Sequence, residues 1–167
     1  MNHLLIAGVP ATGKSWLGRW LSETQGYRHI DAERDGGIDF DRLRVHEVWD
    51  QLIATGQAHT FVAALEKLGK PVVLDWGFPV SCLYVARSLQ SQGFVTWWLH
   101  GDREQARQAF LARGGIDVLC FDHQMDDIER EWPAIRGVFG MRIVEGLRPN
   151  GSQRNPGEIW ADISAGG

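Results

Sequence analysis

Residues 7–18 read AGVPATGKSWLG, and the fold turns on how this stretch is built. Gly8-Val9-Pro10-Ala11-Thr12-Gly13-Lys14-Ser15 satisfies G-x-x-x-x-G-K-[ST] at every fixed position. An apolar run, His3–Gly8, precedes it and reads as a buried strand. KSWLGRWLSETQG follows as a helix with Leu17, Trp20 and Leu21 on one face. Glycine at Gly8 and Gly13 lets the backbone curl so that several N–H groups point inward, and the helix N-terminus adds its dipole at the same spot. Such a loop grips phosphate: Lys14 can reach the β/γ-phosphates of a nucleotide and the Ser15 hydroxyl can ligate Mg²⁺.

Outward from this loop, short apolar runs alternate with helical patterns. Tyr27–Asp31 is expected to be a second strand, and Asp39–Lys70 two helices stopped at Gly56 and Gly69. PVVLDWG (71–77) reads as a strand ending in an acid, VSCLYVARSLQSQG as a helix and FVTWWLHG as a strand. Asp102 is placed to N-cap REQARQAFLARGG, with Gln105 in the capping-box position. DHQMDDIEREWPAIRG is expected to be helical with an interruption near Pro133, and GMRIVEG to be a last strand. Asn155, Pro156 and Glu158 open a final helix. The βα order, with continuous apolar strands, argues an α/β chain with a parallel sheet covered on both faces. Ligands of such sheets sit at the carboxyl ends of the strands.

The chain has 167 residues, enough for one domain over residues 1–167 with a sizeable core. Its formal net charge of −4 argues against nucleic acid as the main partner, although a local basic patch stays open. No stretch has the length of a membrane span or the charged start of a signal peptide. Cys82 and Cys120 lie far apart without metal-ligand spacing, which fits two buried thiols in a reducing cytoplasmic setting. HEVWD (46–50) begins like a zinc-protease motif, but Asp50 stands where the second histidine is needed. The tryptophans Trp16, Trp20, Trp97, Trp98 and Trp160 are expected to pack the core or the helix–sheet contacts. Trp49, Trp76 and Trp132 are candidates for an aromatic acceptor pocket, as are the aromatics of WGFP (76–79).

Three groups of residues carry chemistry beyond phosphate holding. Asp31 and Glu33 follow the second strand; one can hold a metal-bound water and the other take a proton from an acceptor hydroxyl, with Asp35 a weaker third candidate. Asp75 closes the third strand, where it can polarise water on Mg²⁺. The segment GDREQARQAFLARGG carries Arg103, Arg107 and Arg113 before Gly114 and Gly115; arginines on a hinged lid can neutralise a phosphoryl group in flight, with Arg113 first and Arg107 second.

On these residues the chain resembles the small P-loop kinases of the shikimate- and gluconate-kinase-like group, and a branch related to polynucleotide kinases. The resemblance runs from His3 to about Arg113 and more weakly beyond. GVPATGKS is similar to the family's G-x-P-G-x-G-K-[ST], with Ala11 where glycine is usual. YRHIDAERD resembles a segment whose first acid lies near Mg²⁺ and whose second contacts the acceptor hydroxyl, positions held by Asp31 and Glu33. LHGDREQARQAFLARG resembles a lid helix that offers two arginines; Arg113 matches one and the other falls on Ala109. EGLRPNGSQRNPGEI resembles a loop that packs on adenine, with Gly151, Ser152 and Arg154 as candidate lining; an ordinary exposed turn is the alternative.

The resemblance implies a three-layer αβα P-loop NTPase fold on a five-stranded parallel sheet, with acceptor and lid segments near 34–70 and 103–137. It implies ATP and Mg²⁺ as cofactors. Gly8, Pro10, Ala11, Thr12, Gly13, Lys14, Ser15, Trp16 and Arg154 would hold the nucleotide, and Ser15, Asp31 and Asp75 the metal. The expected function is transfer of the γ-phosphate of ATP to a hydroxyl of a small-molecule acceptor, by a monomer or homodimer, with Lys14, Asp31, Glu33, Arg113 and Arg107 as the catalytic set. The alternatives are a nucleotide-hydrolysing switch or assembly module, a binder that has lost catalysis, and a kinase for the 5′-hydroxyl of a polynucleotide. No N-K-x-D element is present to support a guanine-specific switch.

Overall fold

Strand β1 (Leu4–Gly8) is buried at every position. It lies at the middle of a five-stranded sheet in the order β2-β3-β1-β4-β5. Its companions are β2 (Arg28–Asp31), β3 (Val72–Asp75), β4 (Val95–His100) and β5 (Ile143–Glu145). Every pairing is parallel, so each connection must cross over the sheet, and helices cover both faces. The computed structural model describes residues 2–33, 38–77 and 79–166.

The pleat divides the core in two. Leu5 and Ala7 of β1 face one cluster with Ile30, Leu74 and Trp98, while Leu4 and Ile6 face the other with Val73, Trp97 and Leu99. Successive strand side chains point to opposite faces, so one apolar run feeds both layers. The second cluster is closed by Leu17 and Leu21 of α1 (Lys14–Thr24) and by Ile159 and Ile163 of α9 (Pro156–Ala165). The first is closed by α3 (His46–Thr55), α4 (His59–Glu66), α5 (Leu83–Ser91), α7 (Val118–Arg130) and α8 (Trp132–Phe139). The three-layer αβα architecture and the parallel five-stranded sheet agree with the expectation.

Three local expectations need correction. Residues 39–70 hold three helices, not two, because α2 (Ile38–Leu43) ends before α3. Arg44 adopts a left-handed φ of 57°, and Val45 N–H donates to Phe40 C=O at 2.9 Å. The sharp turn stacks Phe40 on Trp49 with ring centroids 4.8 Å apart. That contact offsets a left-handed arginine that costs roughly 1–2 kcal/mol, and no glycine marks the turn in the sequence. Cys120 is exposed, so the chain does not bury two thiols. Trp16 is 42% exposed and is not a core residue.

Elsewhere the local signals operate as read. Asp102 accepts from the Glu104 and Gln105 N–H groups and starts α6 (Arg103–Ala112), although the Gln105 side chain donates to Pro149 C=O instead of closing the box. Asn155 and Glu158 form a complete capping box. The break near Pro133 falls at Glu131, between α7 and α8. Among the described residues no helix is long and apolar enough to cross a membrane.

A histidine fastens the start of the sheet. Val72 N–H donates to His3 Nδ1 at 3.0 Å, and the ring stacks on Phe94 at 5.1 Å. Burial lowers the His3 pKa below its ordinary value, and the charge of Glu66 offsets this only in part. A folded-state pKa below the unfolded one gives stability that is present above the unfolded value and lost as pH falls. The melting temperature is therefore expected to drop between about pH 7 and pH 5. His3→Asn, which keeps an acceptor that does not titrate, should flatten that slope in a thermal-denaturation series.

Candidate active site

The loop after β1 is shaped by contact with β4. Gly8 has φ 142°, and a Cβ there would lie 2.1 Å from the Leu99 carbonyl oxygen, which is the oxygen that accepts Val9 N–H at 3.0 Å. Ala11 follows with a left-handed φ of 64° and Gly13 with 93°. Thr12 Oγ1 donates to Val9 C=O at 2.8 Å, and Gln153 Nε2 donates to Ala11 C=O at 2.9 Å. α1 begins at Lys14 with no side-chain cap, so its first N–H groups are available to an anion. Lys14 Nζ donates to the Val9 and Gly8 carbonyls at 3.0 and 3.3 Å. Burial, the largest influence, lowers its pKa below the ordinary value and the charge of Arg113 adds to this; the charges of Glu33, Asp75 and Asp31 offset it only in part.

The acids lie at the carboxyl ends of β2 and β3, where Asp31 is in register with Asp75. Asp75 is 2% exposed. Its Oδ1 accepts the Ser15 hydroxyl at 3.1 Å, and its Oδ2 contacts His29 Nε2. The imidazole of His29 fits only because α1 has no side chain at Gly18, where a Cβ would stand 2.5 Å from the ring. Sequence reading passed over His29, since its partners Gly18 and Asp75 come from two other elements. The Ser15–Asp75 pair suits Mg²⁺ bound to phosphate: a hydroxyl ligand with a carboxylate behind it for a coordinated water. No group of three His, Cys, Asp or Glu side chains able to hold a metal by itself is present among the described residues, so phosphate oxygens and water would complete the shell.

Asp31 and Glu33 are not equivalent. Asp31 Oδ1 accepts Glu33 N–H at 3.0 Å, and Asp31 N–H donates to Asp39 Oδ2 at 3.1 Å. Asp39 is a buried acid, held also by Arg42 at 2.8 Å. Glu33 lies against the backbone of Gly77, where a Cβ would come 2.5 Å from its Oε2. Glu33 is exposed at the cleft mouth, and partial desolvation of its carboxyl raises its pKa above the usual carboxylate value; the charge of Lys14 lowers it, those of Asp31 and Asp75 raise it, and a hydrogen bond from Gly77 N–H lowers it.

Two clefts meet at this residue. The larger, about 470 Å³, is lined by the phosphate loop together with Trp16, Arg19, Asp75, Phe110, Arg113 and Gln153. The second, about 300 Å³, is lined by Gly8, Pro79, Val80, Asp127 and Ile128. Pro10, Glu33, Gly77 and Gln124 belong to both. Arg113 thus reaches the site from the end of α6, its guanidinium 5.4 Å from the Phe110 ring centroid. Arg107 instead points to Asp122 at 3.7 Å, and Arg103 to Asp126 and Glu129 at 2.7 and 3.1 Å. Arg154 donates to Glu145 C=O and to Asp162 at 3.0 and 2.8 Å. It lines a separate open cleft of about 520 Å³ with Gln105, Arg148 and Pro149.

Among the described residues, the tryptophans expected at an acceptor wall do not line the two clefts. Trp49 and Trp76 pack edge to face at 4.9 Å inside the core and line neither cleft. Trp132 packs against His100 at 4.7 Å beside a different cleft. Asp35 and Phe78 lie outside the described residues. Arg19, Gln124 and Gln153 join the site without having been singled out. They carried no motif of their own, and only the fold brings them to the loop.

No protein-family model matches the chain, and no curated protein matches its sequence. Solved structures do match its fold. A gluconokinase from Sinorhizobium meliloti 1021 aligns over 99% of this chain and 90% of its own, with TM-score 0.57 and 21% identity. A shikimate kinase from Acinetobacter baumannii, in complex with shikimate, covers 99% of this chain and 94% of its own at TM-score 0.60 and 15% identity. A deoxyadenosine kinase from M. mycoides with bound dATP covers 98% of both chains at TM-score 0.52 and 10% identity. The chain therefore has the fold of the P-loop small-molecule kinases.

Two substitutions test the geometry of the site. Ala11 holds a conformation that L-residues adopt at a cost of roughly 1–2 kcal/mol, so Ala11→Gly is expected to raise stability by about 0.5–1 kcal/mol after the entropy of glycine is counted. Chemical denaturation reads this out, and a loss of stability would contradict the strained loop. His29→Leu removes a partner from a buried carboxylate and should cost about 1–3 kcal/mol in the same assay.

Proposed function

We propose that the protein is an ATP-dependent phosphotransferase that moves the γ-phosphate of ATP to a hydroxyl of a small molecule, with Mg²⁺ as cofactor. The observation that carries this reading is the meeting of two clefts at Glu33, with the cations Lys14, Arg19 and Arg113 all on the phosphate-loop side. A hydrolase or switch needs room for the nucleotide and a water. A second cleft that opens onto the phosphate loop beside a carboxylate suits an acceptor. The kinase names of the similar folds point the same way.

In this reading the phosphate loop and the start of α1 hold the β- and γ-phosphates by their N–H groups. Ser15 and Asp75 would hold the metal, which would supply neutralisation of the phosphate oxygens. Lys14 leaves the carbonyls of its own loop for the phosphates. Arg113 draws charge from the transferred group, and Arg19, which reaches the same cleft from α1, provides a second arginine where the lid helix carries Ala109. Glu33 accepts the proton of the attacking hydroxyl. Its raised pKa makes it a stronger base than an ordinary carboxylate. Asp31 holds the turn that presents Glu33, through the 3.0 Å bond to its N–H. Gln153, fastened to Ala11, ties the 147–153 turn to the loop on the nucleotide side.

The test is acceptor-dependent release of ADP. Glu33→Gln should lower the acceptor-dependent kcat by about 100-fold or more while nucleotide affinity is kept. Lys14→Ala should lose turnover with every acceptor. Equal stimulation by acceptor in Glu33→Gln and the unaltered protein would remove Glu33 from this role.

A further inference from the structure

The left-handed part of the phosphate loop leans on a turn from the far end of the chain. Gln153 lies 142 residues after Ala11, and its Nε2 donates to the Ala11 carbonyl at 2.9 Å. Gly146 packs on the next peptide: a Cβ there would stand 2.6 Å from the Thr12 carbonyl oxygen. Two consecutive carbonyls of the loop therefore meet the 146–153 turn. The turn is itself tied internally. Arg148 N–H donates to Ser152 C=O and Gly151 N–H to Arg148 C=O, both at 2.8 Å. Leu147 bridges Gln153, and Arg148 Nη1 donates to Gln153 C=O at 2.7 Å while its Nη2 donates to Glu158 at 2.9 Å. The Gln153 amide thus reaches the loop from a fixed base, so less freedom is lost in making its bond.

What the bond does follows from the backbone at Ala11. Its φ of 64° is left-handed, a conformation that alanine rarely adopts. The peptide between Ala11 and Thr12 is planar, so holding the Ala11 carbonyl fixes the direction of the Thr12 N–H on its opposite side. That peptide leads through Gly13 into the first turn of α1, where free N–H groups receive an anion. Glycine takes positive φ as readily as negative and would keep this shape unaided. Alanine without the bond relaxes towards right-handed or extended backbone, and the N–H groups of the loop no longer converge.

We propose that Gln153 is a positioning residue of the phosphate site: its bond to the Ala11 carbonyl holds the left-handed loop in the shape that receives the β- and γ-phosphates. This role rests on the phosphotransferase reading only in where the phosphates lie. It makes the grip on phosphate depend on the 146–153 turn and couples Gln153 to Ala11. Gln153 also lines the larger cleft, so direct contact with the ligand is the competing role.

Binding of ATP and of inorganic tripolyphosphate, followed by titration calorimetry, decides between them. Gln153→Met keeps the length of the side chain and removes the donor. It should weaken both ligands by a similar factor of at least about tenfold, because tripolyphosphate offers the loop phosphates and no nucleoside. In an Ala11→Gly background the same change should cost less than about threefold, since glycine holds the loop without help. Gln153→Asn, which withdraws the amide by one methylene, should repeat the pattern and supplies the reading should the first variant not fold. Weakened ATP with unaltered tripolyphosphate would put Gln153 against the nucleoside and overturn the proposal. Equal losses with and without Ala11→Gly would overturn it as well, since Gln153 would then touch the phosphates directly. Unchanged affinity for both ligands would do the same. Gln153-dependent binding of tripolyphosphate, relieved by Ala11→Gly, in a protein that phosphorylates no acceptor would support the proposal and remove the phosphotransferase reading. If the unaltered protein binds neither ATP nor tripolyphosphate, that reading fails and the proposal with it.

Discussion

The carboxylate of Asp75 organises the site. It is almost fully buried, and a buried carboxylate persists only where hydrogen-bond donors surround it. One donor is the Ser15 hydroxyl on the first turn of α1; the other contact is His29 from the neighbouring strand β2. The three groups come from a helix, an inner strand and an edge strand, so satisfying one carboxylate sets the position of all three. Gly18 is part of the same arrangement, because any side chain there would displace the imidazole. The phosphate loop is thereby fastened at its helical end to the acid of β3, as it is fastened at its strand end to Leu99 of β4.

Around that anchor the cations Lys14, Arg19 and Arg113 share the larger cleft with the acids Glu33, Asp75 and Asp117. Each cation is supported differently. Lys14 is buried, which lowers its pKa, with nearby acids offsetting this in part, Arg19 donates to the Ser15 carbonyl at 3.3 Å, and Arg113 lies over an aromatic ring. The other two lid-segment arginines are spent on packing: Arg103 and Arg107 pair with acids of α7 and so hold α6 to its neighbour. The arginines of this segment thus divide into two that pair with α7 and one that lines the larger cleft. Residue type and spacing do not distinguish the two roles, because the acids that decide them lie on another helix.

Legibility followed the range of the interactions. The phosphate loop, the βα alternation and the Asn155 capping box were readable because each depends on residues adjacent in the chain. Asp75 was readable because an acid after a buried apolar run marks a strand end in the sequence itself. The helix break at Arg44 was not, because a left-handed arginine is imposed by the stacking of Phe40 on Trp49. Trp49 and Trp76 were read as acceptor contacts from their position near the site; their rings turn inward and fill the core. Trp16, expected both in the packing and among the nucleotide-holding residues, is on the rim of the larger cleft.

By itself the sequence determined the parallel α/β architecture, the place of the glycine-bearing loop before the first helix and the presence of acids at two strand ends, since period, turn chemistry and helix caps are local properties. Which acid faces which partner was decided by the tertiary structure alone. Glu33 stands at the junction of two clefts because Gly77 lets its carboxylate rest on the backbone of a strand end. Asp31 is turned to holding the loop, and His29 reaches Asp75 beneath a helix. Those outcomes depend on strand register and on the space left by single glycines, and both arise only when distant segments pack.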